Sequence, residues 1–245
     1  MTTPIPPYQQ ASDRVLNFLR RTDTCAVSNA IELFRVRRRD QGFIRDTAVC
    51  QFPSLAPIAG YAVTGRIRTS EPPIAGAYDQ HLTDWWEYVA TLPSPKVIVL
   101  QDLDPVPGTG AFFGEIHARI SQALNCVAYV TNGTIRDVPA LQRAQFQCFA
   151  SGRSISHSYA GITEFGRPVE IGGLKIAPGD LLQGDCHGVQ AIPLSIAEEL
   201  PETVRCLSDR EAELITFCES PGFSLEKLIA MLKQKSSACS PAEPR

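Results

Sequence analysis

Long apolar runs, an export signal and an excess of charge are all missing from this sequence of 245 residues. No apolar stretch approaches the roughly 20 residues that a membrane-spanning helix needs. The first residues have neither the basic start nor the apolar segment of a signal peptide. The net charge is only −3 at pH 7, which gives no electrostatic reason to bind nucleic acid or an anionic membrane. We therefore expect a cytoplasmic protein with no membrane or nucleic-acid partner.

Paired cysteines and suitably placed lysines are also scarce. The eight cysteines are scattered, without a Cys-x-x-Cys, so reduced thiols are the simplest expectation. Only five lysines are present, and three of them lie in the last predicted helix or the tail after it. Neither Lys96, at the start of a predicted strand, nor Lys175, in a predicted hairpin, suggests the desolvated amine that Schiff-base chemistry needs. If carbanion chemistry occurs here, a metal ion is the better electron sink.

The familiar motifs of zinc sites and nucleophiles are absent. The four histidines show no zinc-site spacing, and there is no Gly-x-Ser-x-Gly elbow. His117 lies one turn into a predicted helix. Its side chain either lines a pocket or occupies a partly buried structural position, and the sequence favours neither role. Cys186 and His187 lie in a predicted turn, where a structural role is favoured over a catalytic one.

Helix and strand patterns alternate along the chain and then give way to a β-rich section, which predicts one mixed α/β domain. The domain is predicted to span residues 12–234, between flexible termini at 1–11 and 235–245. The clearest predicted elements are strands at 60–69, 96–102 and 126–131 and helices at 114–125 and within 196–234.

The glycine-rich segment at 108–114 follows a predicted buried strand and precedes a predicted helix, as a nucleotide-binding loop does. The dinucleotide fingerprint fails, because Gly-x-Gly-x-x-Gly would need a glycine where Phe113 stands. The next strand ends at Thr131 and Asn132 and not at an acid that could bind a ribose. A dinucleotide or methyl-donor site is therefore not expected, although the first amides of the helix could still bind a carboxylate.

Two carboxylates and a guanidinium are predicted to meet beside this helix. Glu115 begins it, and Arg136 and Asp137 follow an Asn-Gly turn after the strand at 126–131. Carboxylate oxygens suit a hard divalent cation such as Mg²⁺, and an arginine fork suits a carboxylate substrate. From the spacing alone, metal-assisted chemistry on an oxo-acid and a surface ion pair are equally open.

The twenty residues between Glu115 and Arg136 match a known motif. An acid followed at this distance by Arg-Asp resembles the motif of the metal-dependent pyruvate aldolases in the RraA-like family. Segments at 59–64, 131–137 and 172–189 resemble that family's early strand, central motif and closing β-section, in the same order. The resemblance covers about residues 23–200. It implies an α/β/β swivelling-domain sandwich, assembled as a homotrimer or a hexamer with the site at a subunit interface. The extra C-terminal helices are predicted from the sequence pattern and lie beyond the resemblance.

The resemblance also implies a metal site for Mg²⁺ or Mn²⁺. Asp137 would bind the ion directly, and Glu115 would bind it through a bridging water. The family often has aspartate where Glu115 stands, so the longer side chain is a departure from its pattern. A further acidic residue from a neighbouring subunit is expected, at a position that the sequence does not identify.

The implied activity is that of a lyase that cleaves a C–C bond of a 2-oxo acid and releases pyruvate through a metal-stabilised enolate. Arg136 would bind the substrate oxygens, and Gly114, Ile116 and His117 would form the helix start whose amides cradle the carboxylate. Decarboxylation of oxaloacetate needs the same enolate, so one site could catalyse both reactions. The alternative is a non-catalytic regulatory protein on the same fold. The regulators lose an acid of the motif, whereas this chain keeps both, which favours the enzyme.

Overall fold

The computed structural model describes residues 8–72 and 77–234. The strands are β1 Val49–Cys50, β2 Ile58–Arg68, β3 Lys96–Asp102, β4 Ala111–Phe113, β5 Cys126–Thr131, β6 Thr134–Ile135, β7 Gln147–Ala150, β8 Gly152–Arg153, β9 Gly161–Phe165, β10 Val169–Ile171, β11 Leu174–Ile176, β12 Leu181–Asp185 and β13 Gly188–Ala191. The helices are α1 Asp13–Leu19, α2 Thr24–Phe34, α3 Ala77–Thr91, α4 Glu115–Ala123, α5 Val138–Arg143, α6 Leu200–Glu219 and α7 Leu225–Gln234. Among these helices, none combines the length and apolar character needed to cross a membrane.

One mixed sheet of eight strands forms the centre of the fold. Its order is β1-β7-β5-β3-β2-β12-β13, and β9 also pairs with β2. The inner strands β2, β3, β5 and β7 are parallel neighbours, whereas β1, β9 and β12 pair with them in antiparallel fashion. The predicted strands at 60–69, 96–102 and 126–131 are confirmed as β2, β3 and β5.

Both faces of the central sheet are covered, and the alternation of side chains along β3 shows how. Ile98 and Leu100 point into a core with Trp85 of α3, whereas Val97 and Val99 point into a second core formed with the β10–β11 hairpin. Successive residues of a strand face opposite sides of its sheet, so an uninterrupted apolar run is what a doubly covered strand requires. The layers are therefore helix, sheet and β-hairpin, which confirms the predicted α/β/β sandwich.

The helices at the two ends of the chain share a third core. Residues of α1, α2 and α6 pack there on Tyr61 of β2 and Leu181 of β12. The predicted C-terminal helical region, 196–234, consists of α6 and α7, with the first helix beginning at Leu200. Of the predicted flexible lead, residues 8–11 are described: Tyr8 packs against a core, and the Ala11 amide donates to the Tyr61 hydroxyl at 2.9 Å. The flexibility of the lead stays a prediction. The rest of that lead and the predicted tail at 235–245 lie outside the described residues.

Within the described residues, the cysteines follow the expectation of reduced thiols at every position but one. Cys206 on α6 is disulfide-bonded, so the expectation is wrong at that position. The free thiols of the described residues are Cys25, Cys50, Cys126, Cys148, Cys186 and Cys218.

Candidate active site

A three-stranded parallel sheet, β4-β6-β8, positions the predicted site residues. Its register brings the ends of β4 and β6 together, because the Arg136 amide donates to the Phe113 carbonyl at 3.0 Å. Glu115 therefore follows one strand and Asp137 follows its neighbour, at the same edge. The structure brings together the side chains of Arg136 and Asp137 and the backbone amide of Glu115. The strands that position these groups were not predicted.

The Asp137 carboxylate lies across the start of α4. Its Oδ2 atom accepts the Glu115 amide hydrogen at 3.1 Å, where the partial positive charge of a helix N-terminus favours an anion. The Asp137 backbone is left-handed, with φ 55° and ψ 35°, and it caps α5. Among non-glycine residues, aspartate tolerates this conformation comparatively well. The fold thus holds this carboxylate in a fixed place at the junction of two helices.

Gly114 leaves the space that the carboxylate occupies. A Cβ atom at this position would lie 2.5 Å from Asp137 Oδ2 and 3.0 Å from Arg136 Cγ. Its φ of −145° is ordinary extended backbone, so close approach and not conformational freedom requires glycine here. Gly114 is thus part of the site because it has no side chain.

The three polar side chains of this corner are all open to solvent. Arg136 Nε lies 3.3 Å from Asp137 Oδ1, and these side chains are 33% and 38% exposed. The Glu115 side chain is 47% exposed and lies 3.9 Å from a guanidinium nitrogen of Arg119, one turn further along α4. Exposed ion pairs of this kind contribute little stability. A cation or an anionic ligand could therefore replace either contact at small cost.

The family profile described as Aldolase/RraA matches residues 24–190, more than half of the chain. The chain belongs to the RraA-like family. The match includes β2, the small sheet and the β12–β13 hairpin, and it stops before α6 and α7.

Individual RraA-like relatives are distant. A protein of Halalkalibacterium halodurans, provisionally named a 4-hydroxy-4-methyl-2-oxoglutarate aldolase, is 36% identical over 86 residues, which are 35% of this chain and 41% of that protein. An uncharacterized Pseudomonas syringae protein has a similar fold, with a TM-score of 0.71 at 23% identity over 94% of this chain and 99% of its own. Streptomyces coelicolor RraAS2 is described as an unusual member of the RNase ES inhibitor RraA family. It gives a TM-score of 0.64 at 20% identity over 83% of this chain and 97% of its own.

The imidazole of His117 packs among aromatic side chains of this RraA-like domain. Its ring stacks on Phe112 at 4.7 Å and on Trp86 at 5.9 Å between centroids. Burial lowers the pKa of His117 to about 4, against its hydrogen bond to the Phe112 carbonyl, which raises it. The structural role is therefore favoured over a side chain that lines the pocket. Only the backbone amide of His117 remains a candidate ligand.

The Ile116 side chain is 74% exposed. Ile116, like His117, is therefore a candidate ligand only through its backbone amide. Both amides belong to the first turn of α4, where N–H groups have no carbonyl partner within the helix. They are therefore available to bind an anion. Their predicted role as a cradle for a substrate carboxylate stays a prediction.

Replacing His117 by phenylalanine is expected to reduce the loss of stability in acid. Between the ordinary pKa of 6.5 and the folded value of about 4, the unfolded chain binds a proton that the folded chain rejects, so this residue costs stability as the pH falls through that window. Near the folded pKa, the resulting loss in the free energy of unfolding reaches roughly 3 kcal/mol. Urea unfolding at neutral pH and near the folded pKa measures it in both proteins. An equal pH dependence in the two would contradict the burial of a neutral ring.

Proposed function

We propose that this RraA-like protein is a divalent-metal-dependent lyase that cleaves a C–C bond of a 2-oxo acid and releases pyruvate. The observation that carries this proposal is the fixed Asp137 carboxylate beside an open guanidinium and a free helix start. The name of the Halalkalibacterium relative supports an aldolase of the 4-hydroxy-4-methyl-2-oxoglutarate type. Decarboxylation of oxaloacetate is proposed as a second reaction of the same site.

The donor set of the corner fits Mg²⁺ or Mn²⁺. It offers the carboxylate oxygens of Asp137 and Glu115, which are the hard ligands that these ions prefer. Asp137 would bind the ion directly, and Glu115, after leaving Arg119, would bind it through water. When bound, the ion would polarise the 2-oxo group of the substrate and favour the negative charge that develops during cleavage.

Arg136 would bind and orient the substrate. Its guanidinium is one-third exposed and is paired only loosely with Asp137, so it can form a forked contact with a carboxylate or a 2-oxo oxygen. The amides of Ile116 and His117 would bind the same end of the substrate, where the positive end of α4 adds to the attraction. These groups hold the bond between C3 and C4 in one orientation while its electron pair moves towards C2.

The cleavage reaction needs no oxidant or reductant. The hydroxyl on C4 loses its proton and becomes a carbonyl, the C3–C4 bond breaks, and C3 takes a proton to give pyruvate. Arg136 and the helix amides would stabilise the negative charge as it forms, which is the part of the reaction where fixed donors contribute most.

Removing divalent metal is expected to abolish pyruvate release. The test treats the protein with EDTA, removes the chelator, and follows pyruvate from 4-hydroxy-4-methyl-2-oxoglutarate and from oxaloacetate. Mn²⁺ or Mg²⁺ should restore the activity. Full activity in the metal-free protein would refute the metal-dependent mechanism. No turnover with metal on a panel of 2-oxo acids would favour the alternative, a non-catalytic member of the family.

Assembly as a homotrimer or a hexamer is part of the same proposal, because the expected site lies at a subunit interface. Light scattering on the purified protein measures the mass directly. A monomer that is fully active would show that one chain supplies the whole site.

A further inference from the structure

A second group of possible metal ligands lies at the β12–β13 hairpin, in the turn formed by Asp185, Cys186 and His187. One donor atom from each of these residues lies within 4.8 Å of the other two. His187 Nδ1 is 3.5 Å from Cys186 Sγ and 3.2 Å from Asp185 Oδ1. A single ring nitrogen with at most one hydrogen thus faces both a thiol and a carboxylate. A cation between the three atoms could accept a lone pair from each of them.

The distances suit a tetrahedral ion. Zinc–sulfur bonds of about 2.3 Å and zinc–nitrogen or zinc–oxygen bonds of about 2.0 Å would place sulfur and nitrogen about 3.5 Å apart, and nitrogen and oxygen about 3.3 Å apart. The observed separations, 3.5 Å and 3.2 Å, are close to these edges. Thiolate and imidazole are also the ligands that select zinc over Mg²⁺.

Asp185 is held in place by the start of α2. Its Oδ2 atom accepts the Thr24 amide at 2.7 Å, and its Oδ1 atom accepts the Thr24 hydroxyl at 2.8 Å and the His187 amide at 2.9 Å. Hydrogen bonds of this kind orient metal-binding carboxylates in known sites. The hairpin turn is therefore preorganised, and its contact with α2 does not depend on an ion.

The turn borders an open surface hollow that another thiol also lines. Cys25, the second residue of α2, and His187 both line a surface hollow of about 150 Å³. Cys25 and Cys186 are exposed, and the His187 side chain is 55% exposed, so an ion has a route of entry.

We propose that Cys186 Sγ, His187 Nδ1 and Asp185 Oδ1 bind one zinc-type cation. The exposed thiol of Cys25, which lies outside this three-atom cluster, would rotate to take the fourth position. No sequence motif indicated this site, because the three ligands are consecutive and Cys25 lies 160 residues before Asp185. Bound zinc would link the β12–β13 hairpin to the start of α2. The site shares no ligand with the Asp137 corner and goes beyond the proposed lyase function.

Cobalt titration of the reduced, metal-free protein tests the proposal. We expect one Co²⁺ per chain to show a thiolate-to-cobalt charge-transfer band and the intense visible bands of tetrahedral cobalt, and one equivalent of Zn²⁺ to remove these bands. Cys186→Ser should abolish the charge-transfer band from the hairpin thiol, and His187→Asn should weaken binding at least about 10-fold. Thermal unfolding without metal checks that both variants fold.

The matched controls are Cys218→Ser, which removes an exposed thiol on α6, and Asp137→Asn, which alters the proposed lyase site. Both should keep the full cobalt spectrum. A wild-type protein without the bands, or bands that persist unchanged in Cys186→Ser and His187→Asn, would overturn the site. If Cys25→Ser binds Co²⁺ with unchanged affinity, Cys25 is not a ligand of the site. Loss of pyruvate release with an intact cobalt spectrum in Asp137→Asn would separate the two sites.

Discussion

Replacing Asp137 by asparagine is expected to lower pyruvate release by at least about 1000-fold, because a metal ion in such a site contributes several kcal/mol to catalysis. The amide keeps the size of the side chain, and its oxygen can still accept the Glu115 amide hydrogen. Asparagine also tolerates the left-handed backbone at φ 55°. The variant should therefore fold like the wild type. Steady-state assays with saturating Mn²⁺ measure the effect.

Asp46→Asn is the matched control for this variant. Asp46 is also a left-handed aspartate with φ 55°, but it is exposed and does not contact the corner. It should keep full activity. Equal activity of Asp137→Asn and Asp46→Asn would show that the negative charge at position 137 has no part in the reaction.

Replacing Gly114 by alanine is expected to reduce turnover by about 100-fold, the usual cost of displacing a catalytic group by about 1 Å. The added methyl group would lie 2.5 Å from Asp137 Oδ2, so the carboxylate has to move away from the start of α4. The same crowding should lower the free energy of unfolding by about 1–3 kcal/mol. Kinetics and urea unfolding of one preparation measure both effects.

Gly152→Ala provides the comparison within the same small sheet. A Cβ atom at Gly152 would meet nothing nearer than Thr134 Cγ2 at 3.9 Å, which is ordinary van der Waals contact. This variant should keep its activity and stability. If Gly114→Ala keeps the same activity and stability as Gly152→Ala, the Asp137 carboxylate does not lie against Gly114.

The parts of the fold that could be predicted are those with a long, regular pattern. The apolar run of β3 predicted a buried strand, and the segment 114–125 was predicted as the helix that Glu115 begins. The spacing of Glu115 and Arg136 matched the family's motif, and that resemblance pointed to the corner. These features depend on neighbours in sequence or on a periodicity that several residues share.

The parts that could not be predicted depend on short elements and distant contacts. β4 has three residues and β6 and β8 have two each, which is too short for a periodic pattern, yet their pairing positions the site. The role of His117 depends on Trp86, which comes from another helix. The Cys186–His187 turn gains its neighbours only when α2 packs against it.

Binding of Mn²⁺ to the Asp137 corner is the central claim, and electron paramagnetic resonance titration tests it without any assumption about the substrate. Free Mn²⁺ gives a six-line signal that is lost on binding, so the titration counts sites and gives their affinity. We predict a Mn²⁺ site in the wild-type protein that Asp137→Asn weakens at least about 100-fold and Asp46→Asn leaves unchanged. Equal Mn²⁺ binding by the wild type and Asp137→Asn would contradict the claim.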